Sequence, residues 1–133
     1  MTSADHRLIL LLRFVGVTAL LALFAVVMPK SWMASTHDWL GLGELPDAPI
    51  VQNLARSVSV FYALFGAVCL MLAADLDRYR PLARFLGIAV ALFGAALIAI
   101  DLAAGMPAWW TAWEGPPTIV IGVLIFVLAC HDP

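Results

Sequence analysis

Away from its charged ends, this sequence holds six side chains suited to chemistry: an arginine, two acids, a histidine and two amides. Gln52, Arg56, Ser59 and Ala63 recur at i, i+4, i+7 and i+11, which places them on one stripe of a helix with Asn53 beside it. A guanidinium inside an apolar segment requires an anionic or hydrogen-bonding partner, because an unpaired charge there is costly. Asp101 and Glu114 could each supply one. They flank a tryptophan cluster in IDLAAGMPAWWTAWEGPP, residues 100–117. Paired with Arg56, either acid would form a clamp that fixes helix register. Left open, the same residues would form a pocket. Arg56 would then hold an anionic, lipid-like or quinone-like headgroup, while Asp101, Glu114 or His37 handled protons. His37 is the only histidine away from the termini. An imidazole ordinarily titrates near neutral pH, which suits a proton carrier, and it equally suits a headgroup contact. Glu114 has a structural reading too, as an acid at a helix start followed by Pro116 and Pro117 in the first helical turn.

Other chemistries lack their residues. A haem or histidine-rich metal site needs more intramembrane ligands than the chain offers, so no metal is expected, and no cofactor is named by any motif. Cys69 and Cys130 fall near helix ends expected on the reducing side, and there is no CxxC. Nucleophile-elbow, P-loop and HExxH patterns are missing. Catalysis is therefore left open rather than assigned.

The elements that must position these residues follow from composition. Hydrophobic residues make up 64% of the 133 and charged ones only 12%, where a soluble domain carries about 25%. A mean hydropathy of +1.01 is beyond what a fold this small can hide from water. The expectation is a single all-α integral membrane domain over residues 1–133. A bilayer core of about 30 Å needs about 20 helical residues, and four segments approach that, at about 8–28, 50–74, 81–104 and 116–130. The first is too long for a signal h-region and is read as a retained span. The small negative net charge and the lack of a basic block argue against a nucleic-acid partner.

Loop charge sets the expected orientation. Arg7 and Arg13 lie at the N-terminal end, and Arg78, Arg80 and Arg84 lie between spans two and three. The first loop has Lys30 among acids, and the last has no cation. Positively charged short loops stay cytoplasmic, which puts both termini inside. Trp32, Trp39, Trp109, Trp110 and Trp113 then all fall on the outer side, as an aromatic belt would. In the first loop, Trp32, Met33, Thr36, Trp39 and Leu40 recur at helical spacing, predicting a short interfacial helix over about 31–40 that Gly41 and Gly43 end. Arg13 should snorkel or pair with Asp75 or Asp77, and Arg78, Arg80 and Arg84 should touch lipid headgroups.

Helix three carries a small residue at every fourth position, Ala83, Gly87, Ala91, Ala95, Ala99 and Ala103, which suits a close contact with another helix, a protein partner or a second copy. Asp101 lines up instead with Gly94 and Gly87. In size and four-span hydropathy the chain resembles the small bacterial inner-membrane proteins grouped as DoxX-like. That resemblance implies a four-helix bundle and an association with respiratory or quinone chemistry. Asp101 and Glu114 also invite comparison with intramembrane aspartyl peptidases such as the lipoprotein signal peptidases, whose two aspartates and flanking motifs this chain lacks. The leading expectation is an accessory or binding subunit of a bacterial inner-membrane complex in contact with membrane lipids. The alternative is a self-sufficient membrane enzyme or carrier with an outward-facing pocket at Arg56, Asp101 and Glu114.

Overall fold

A computed structural model describes residues 2–131. Over them the regular secondary structure is all helical, as α1 (Ser3–Leu20), α2 (Leu23–Val27), α3 (Lys30–Trp39), α4 (Pro49–Ala74), α5 (Leu76–Ala104) and α6 (Ala108–Cys130). Four stretches are long and apolar enough to cross a membrane: Ser3–Val27, which combines α1 and α2, then α4, α5 and α6. Their outward faces carry exposed Phe14, Phe61, Phe85 and Leu92. Water would not tolerate that display of apolar surface and lipid would. The helices group into two compact units. A central unit spans Arg13–Leu70, and a terminal unit combines the described residues up to Leu12 with those from Met71 onward.

In the central unit the end of α1 runs antiparallel to α4. Gly16 and Gly66 make this possible, because a Cβ on Gly66 would lie 2.6 Å from the carbonyl oxygen of Gly16. The stripe Gln52, Arg56, Ser59, Ala63 continues to Gly66, so the polar face read from the sequence is the face of α4 turned toward α1. The helical ladder of α1 slips at Leu21 and Ala22, where the amides of Ala22, Phe24 and Ala25 bond three residues back. No proline or glycine stands at the break. Thr18 Oγ1 donates to the Phe14 carbonyl one turn earlier, a bond that competes with the backbone and bends helices. Pro29 precedes helix α3, and its carbonyl accepts from the amides of Trp32 and Met33. It ends where Gly41 turns left-handed (φ 71°), Leu42 N–H reaches His37 O and Gly41 N–H reaches Asp38 O. Both bonds belong to a Schellman closure, and glycine is the residue that adopts its positive φ without strain.

In the terminal unit α5 and α6 pack antiparallel on interleaved heptads. Leu76, Ala83 and Val90 repeat every seven residues on α5, as do Gly87, Gly94 and Asp101, and all six are buried. On α6, Gly115, Gly122 and Ala129 repeat likewise, with Ile125 between them. Repeats of seven keep two helices in contact at a shallow crossing angle. The glycines set the distance. A Cβ on Gly87 would lie 2.5 Å from the amide nitrogen of Phe126, and one on Gly122 would run into the backbone of Ala91.

Three expectations need correction. The four-residue stripe of helix three is only partly an internal contact: Ala83 and Gly87 are buried, but Ala95, Ala99 and Ala103 are exposed. A row spaced by four drifts around a helix, and the contact follows the seven-residue repeat instead. Span four begins at Ala108 rather than at about 116. Pro107 precedes its first turn and accepts from Trp110 and Thr111, so Pro116 and Pro117 lie inside α6 and Glu114 is no N-terminal acid. Span three begins at Leu76 rather than at about 81. Asp75 caps it by accepting from the Arg78 amide, so the charged segment read as a loop forms helical turns with Pro81 inside.

Candidate functional site

Both units carry an arginine near the start of one helix that reaches the carbonyl end of its antiparallel neighbour. In the terminal unit the arginines are Arg80 and Arg84 on α5. Arg84 Nε donates to Ala129 O at 2.9 Å and Arg80 Nη1 to His131 O at 3.3 Å. These are the carbonyls that a helix end leaves without amide partners, and a cation there also suits the helix dipole. Arg80 Nη2 donates to Asp5 Oδ1 at 2.7 Å and lies 3.5 Å from Asp77. The Arg80 side chain is 11% exposed and that of Asp5 only 2%. Asp5 is in turn held by the first turn of α1. Its Oδ2 accepts from Thr2 N–H at 2.6 Å, and its own N–H donates to Thr2 Oγ1 at 3.2 Å. That reciprocal pair is a capping box.

This cluster corrects the reading of Arg80 and Arg84 as plain headgroup contacts, because their partners are protein groups. Asp75 and Asp77 are likewise engaged within their own helix, while Arg13 stands exposed. Asp5 was missed altogether. Its signal was present as T-S-A-D, a threonine followed three residues later by an acid just before an apolar run.

The central unit has the corresponding arginine in Arg56. Its Nη2 donates to Met28 O, just beyond α2, at 3.4 Å, a long bond. Its Nε is buried with no hydrogen-bond partner among the described residues. An open cleft of about 320 Å³ is lined by Asp47, Pro49, Gln52, Asn53 and other atoms of Arg56. Asp47 also binds Lys30 Nζ, which neutralises the one acid of the lining. Three of the six candidate residues, Gln52, Asn53 and Arg56, are thus gathered at one place by the first two turns of α4.

The other three are not among the lining residues. His37 Nδ1 donates to the Gly43 carbonyl at 2.7 Å and so ties α3 to the turn that follows it. Glu114 Oε2 accepts from Trp110 Nε1 at 2.7 Å, one turn earlier on α6, and the Glu114 carbonyl accepts from Thr118 Oγ1. Asp101 is 5% exposed on the heptad face of α5, and its Oδ2 has no hydrogen-bond partner among the described residues. The register of the pair, with Gly94 beside Gly115 and Ile119, puts Asp101 level with the first turns of α6, where Thr111 Oγ1 is also buried and unpartnered. Asp101 and Arg56 belong to different units.

The tryptophans divide as well. Trp32, Trp39, Trp109 and Trp113 are exposed, Trp113 to 80%. Trp32 packs near Phe24 and Trp109 packs edge-on to Trp110, whose N–H is committed to Glu114. Both cysteines are free thiols.

No protein-family model matches the chain, and comparison with curated proteins and with solved structures returned no match.

Proposed function

We propose that this chain is a multi-pass protein of the bacterial inner membrane that binds a ligand at its outer surface through the cleft at Arg56. Four helices of spanning length with apolar outer faces support the membrane assignment. The arginine content of the N-terminal end and of the α4–α5 junction supports placing both termini in the cytoplasm. The observation that carries the binding role is Arg56 itself, a guanidinium with one long backbone bond that lines an open polar cleft together with Gln52 and Asn53. A guanidinium in an apolar helix needs anionic or hydrogen-bonding partners, and one long carbonyl bond leaves the rest of its donors to a group that enters the cleft. The residues at hand serve binding and orientation, and a carrier or binding protein fits them better than an enzyme.

A second reading has its own support. Ala95, Ala99 and Ala103 form an exposed small-residue face on α5, the kind of surface on which another membrane helix packs closely. On that reading the chain is an accessory subunit of a membrane complex. Native mass spectrometry after gentle extraction from the membrane separates the two. A small ligand that stays with the wild-type chain and leaves on Arg56→Ala supports the cleft. A co-purifying protein chain, unaffected by Arg56→Ala and lost on Ala99→Phe, supports the subunit.

A further inference from the structure

The two units solve one problem in two ways, and the difference identifies what the cleft accepts. Arg80 caps the end of α6 and finishes its donor set on the carboxylates of Asp5 and Asp77. Arg56 reaches the backbone just past α2 and has no carboxylate; the cleft stands where Asp5 stands for Arg80. We propose, resting on the binding role above, that the missing partner is the phosphate of an anionic phospholipid headgroup, bound at Arg56 with its acyl chains lying along α4.

The lining suits a phosphate ester. The planar guanidinium pairs with phosphate through two parallel donors. Gln52 and Asn53 each carry an amide NH₂ that can donate to further phosphate or ester oxygens. Gln52 lies in the first turn of a 26-residue helix, where the dipole favours an anion, and Asn53 and Arg56 lie in the second. Lys30 holds Asp47, so Arg56 remains as the net charge of the lining. A quinone would bring only neutral carbonyl acceptors, for which a charged fork is a poor match.

Depth and neighbouring surface point to a lipid rather than a free ion. Arg56 lies seven residues into α4 from Pro49, which at the helical rise is about 10 Å from the loop end of a helix long enough to span a membrane. Val60 and Leu64 follow Asn53 at i+7 and i+11, on the same side of α4, and both are about half exposed (49% and 60%). They provide an apolar track leading away from the polar cleft, as an acyl chain requires.

The test uses the full chain, delipidated in a mild non-ionic detergent and titrated with phosphatidylglycerol under native mass spectrometry. Wild type should retain one lipid in preference to further copies. Arg56→Gln should lower its occupancy at least about tenfold, corresponding to the loss of a charged bidentate contact. Gln52→Leu, which leaves Arg56 and Met28 untouched, should weaken it as well, and Arg13→Gln, which removes an exposed cation elsewhere, should leave it unchanged. Unchanged lipid retention in both cleft variants overturns the proposal, as does displacement of the lipid by 10 mM inorganic phosphate, roughly the level at which a free-anion site would fill. A co-extracted quinone lost on Arg56→Gln would overturn the phospholipid assignment while sustaining the cleft as a ligand site.

Discussion

At the scale of single residues, burial of charge decides which groups matter. Arg80 sits among Asp5, Asp77 and a helix-end carbonyl, but the two acids differ in kind. Asp5 is buried at 2.7 Å, whereas Asp77 is 84% exposed at 3.5 Å. A solvent-facing pair is worth little, and removing one member of a buried pair leaves an uncompensated charge. Asp5→Asn should therefore lower the thermal midpoint, followed by circular dichroism in detergent, clearly more than Asp77→Asn does. Equal shifts would show that the Asp5 pair is as solvated as its neighbour. Arg80→Lys should lower the midpoint as well, since a single ammonium cannot serve Asp5 and the His131 carbonyl with the geometry of a fork. Half of this cluster was legible in advance. The threonine and acid of the capping box lie three residues apart, within the reach of local pattern. The bond from Asp5 to Arg80 spans 75 residues of sequence, and nothing in local spacing encodes which distant cation an acid will meet. The same limit applies to Arg56. Its stripe was readable, because Gln52, Arg56 and Ser59 obey helical period, but its orphaned Nε depends on a carbonyl from another element.

At the scale of helices, glycine spacing governs how closely backbones approach. Gly87 and Gly94 on α5 and Gly115 and Gly122 on α6 repeat at seven and meet one another, so the pair was readable as two matching heptads once the four-residue alanine row was set aside. Gly122→Leu should separate α5 from α6 and cost about 1–3 kcal/mol, as overpacking a filled contact does, seen as a lowered midpoint on unfolding with a strong detergent. Gly41→Ala makes a useful contrast. No atom lies near the added methyl, yet the backbone there has φ 71°, so the cost is conformational, about 1 kcal/mol, and confined to the end of α3. Helix starts were the least legible feature. Pro116 and Pro117 read as a beginning because proline is favoured in a first turn, but the helix starts at Ala108, just after Pro107, which stands nine residues before Pro116. The interior prolines stand beside buried Gly115; lacking N–H groups, they leave the carbonyls of Ala112 and Trp113 without their usual helical donors.

At the scale of the whole chain, the claim that matters for function is which side of the membrane holds the Arg56 cleft. The cleft lies at the α3–α4 end of α4, so it follows the first loop wherever that loop goes. The proposed outward placement rests on the cation bias: Arg7, Arg78, Arg80 and Arg84 cluster at the N-terminal end and the α4–α5 junction, against Lys30 alone in the first loop. The bias holds although Arg80 and Arg84 bind protein groups in the folded state, because orientation is decided by which segments resist translocation during insertion. Exposed Trp32 and Trp39 on α3 give that loop an interfacial anchor on either side, so they do not discriminate. Cysteine labelling does. In a Cys130→Ser background, with Cys69 buried and silent, an impermeant maleimide applied to intact cells should modify Ser35→Cys and spare Arg78→Cys until the cells are opened. The reverse pattern would turn the chain over and present the cleft to cytoplasmic lipids and metabolites. Modification of both from outside would mean that the helix between them does not cross, and would remove the membrane assignment on which the lipid site depends.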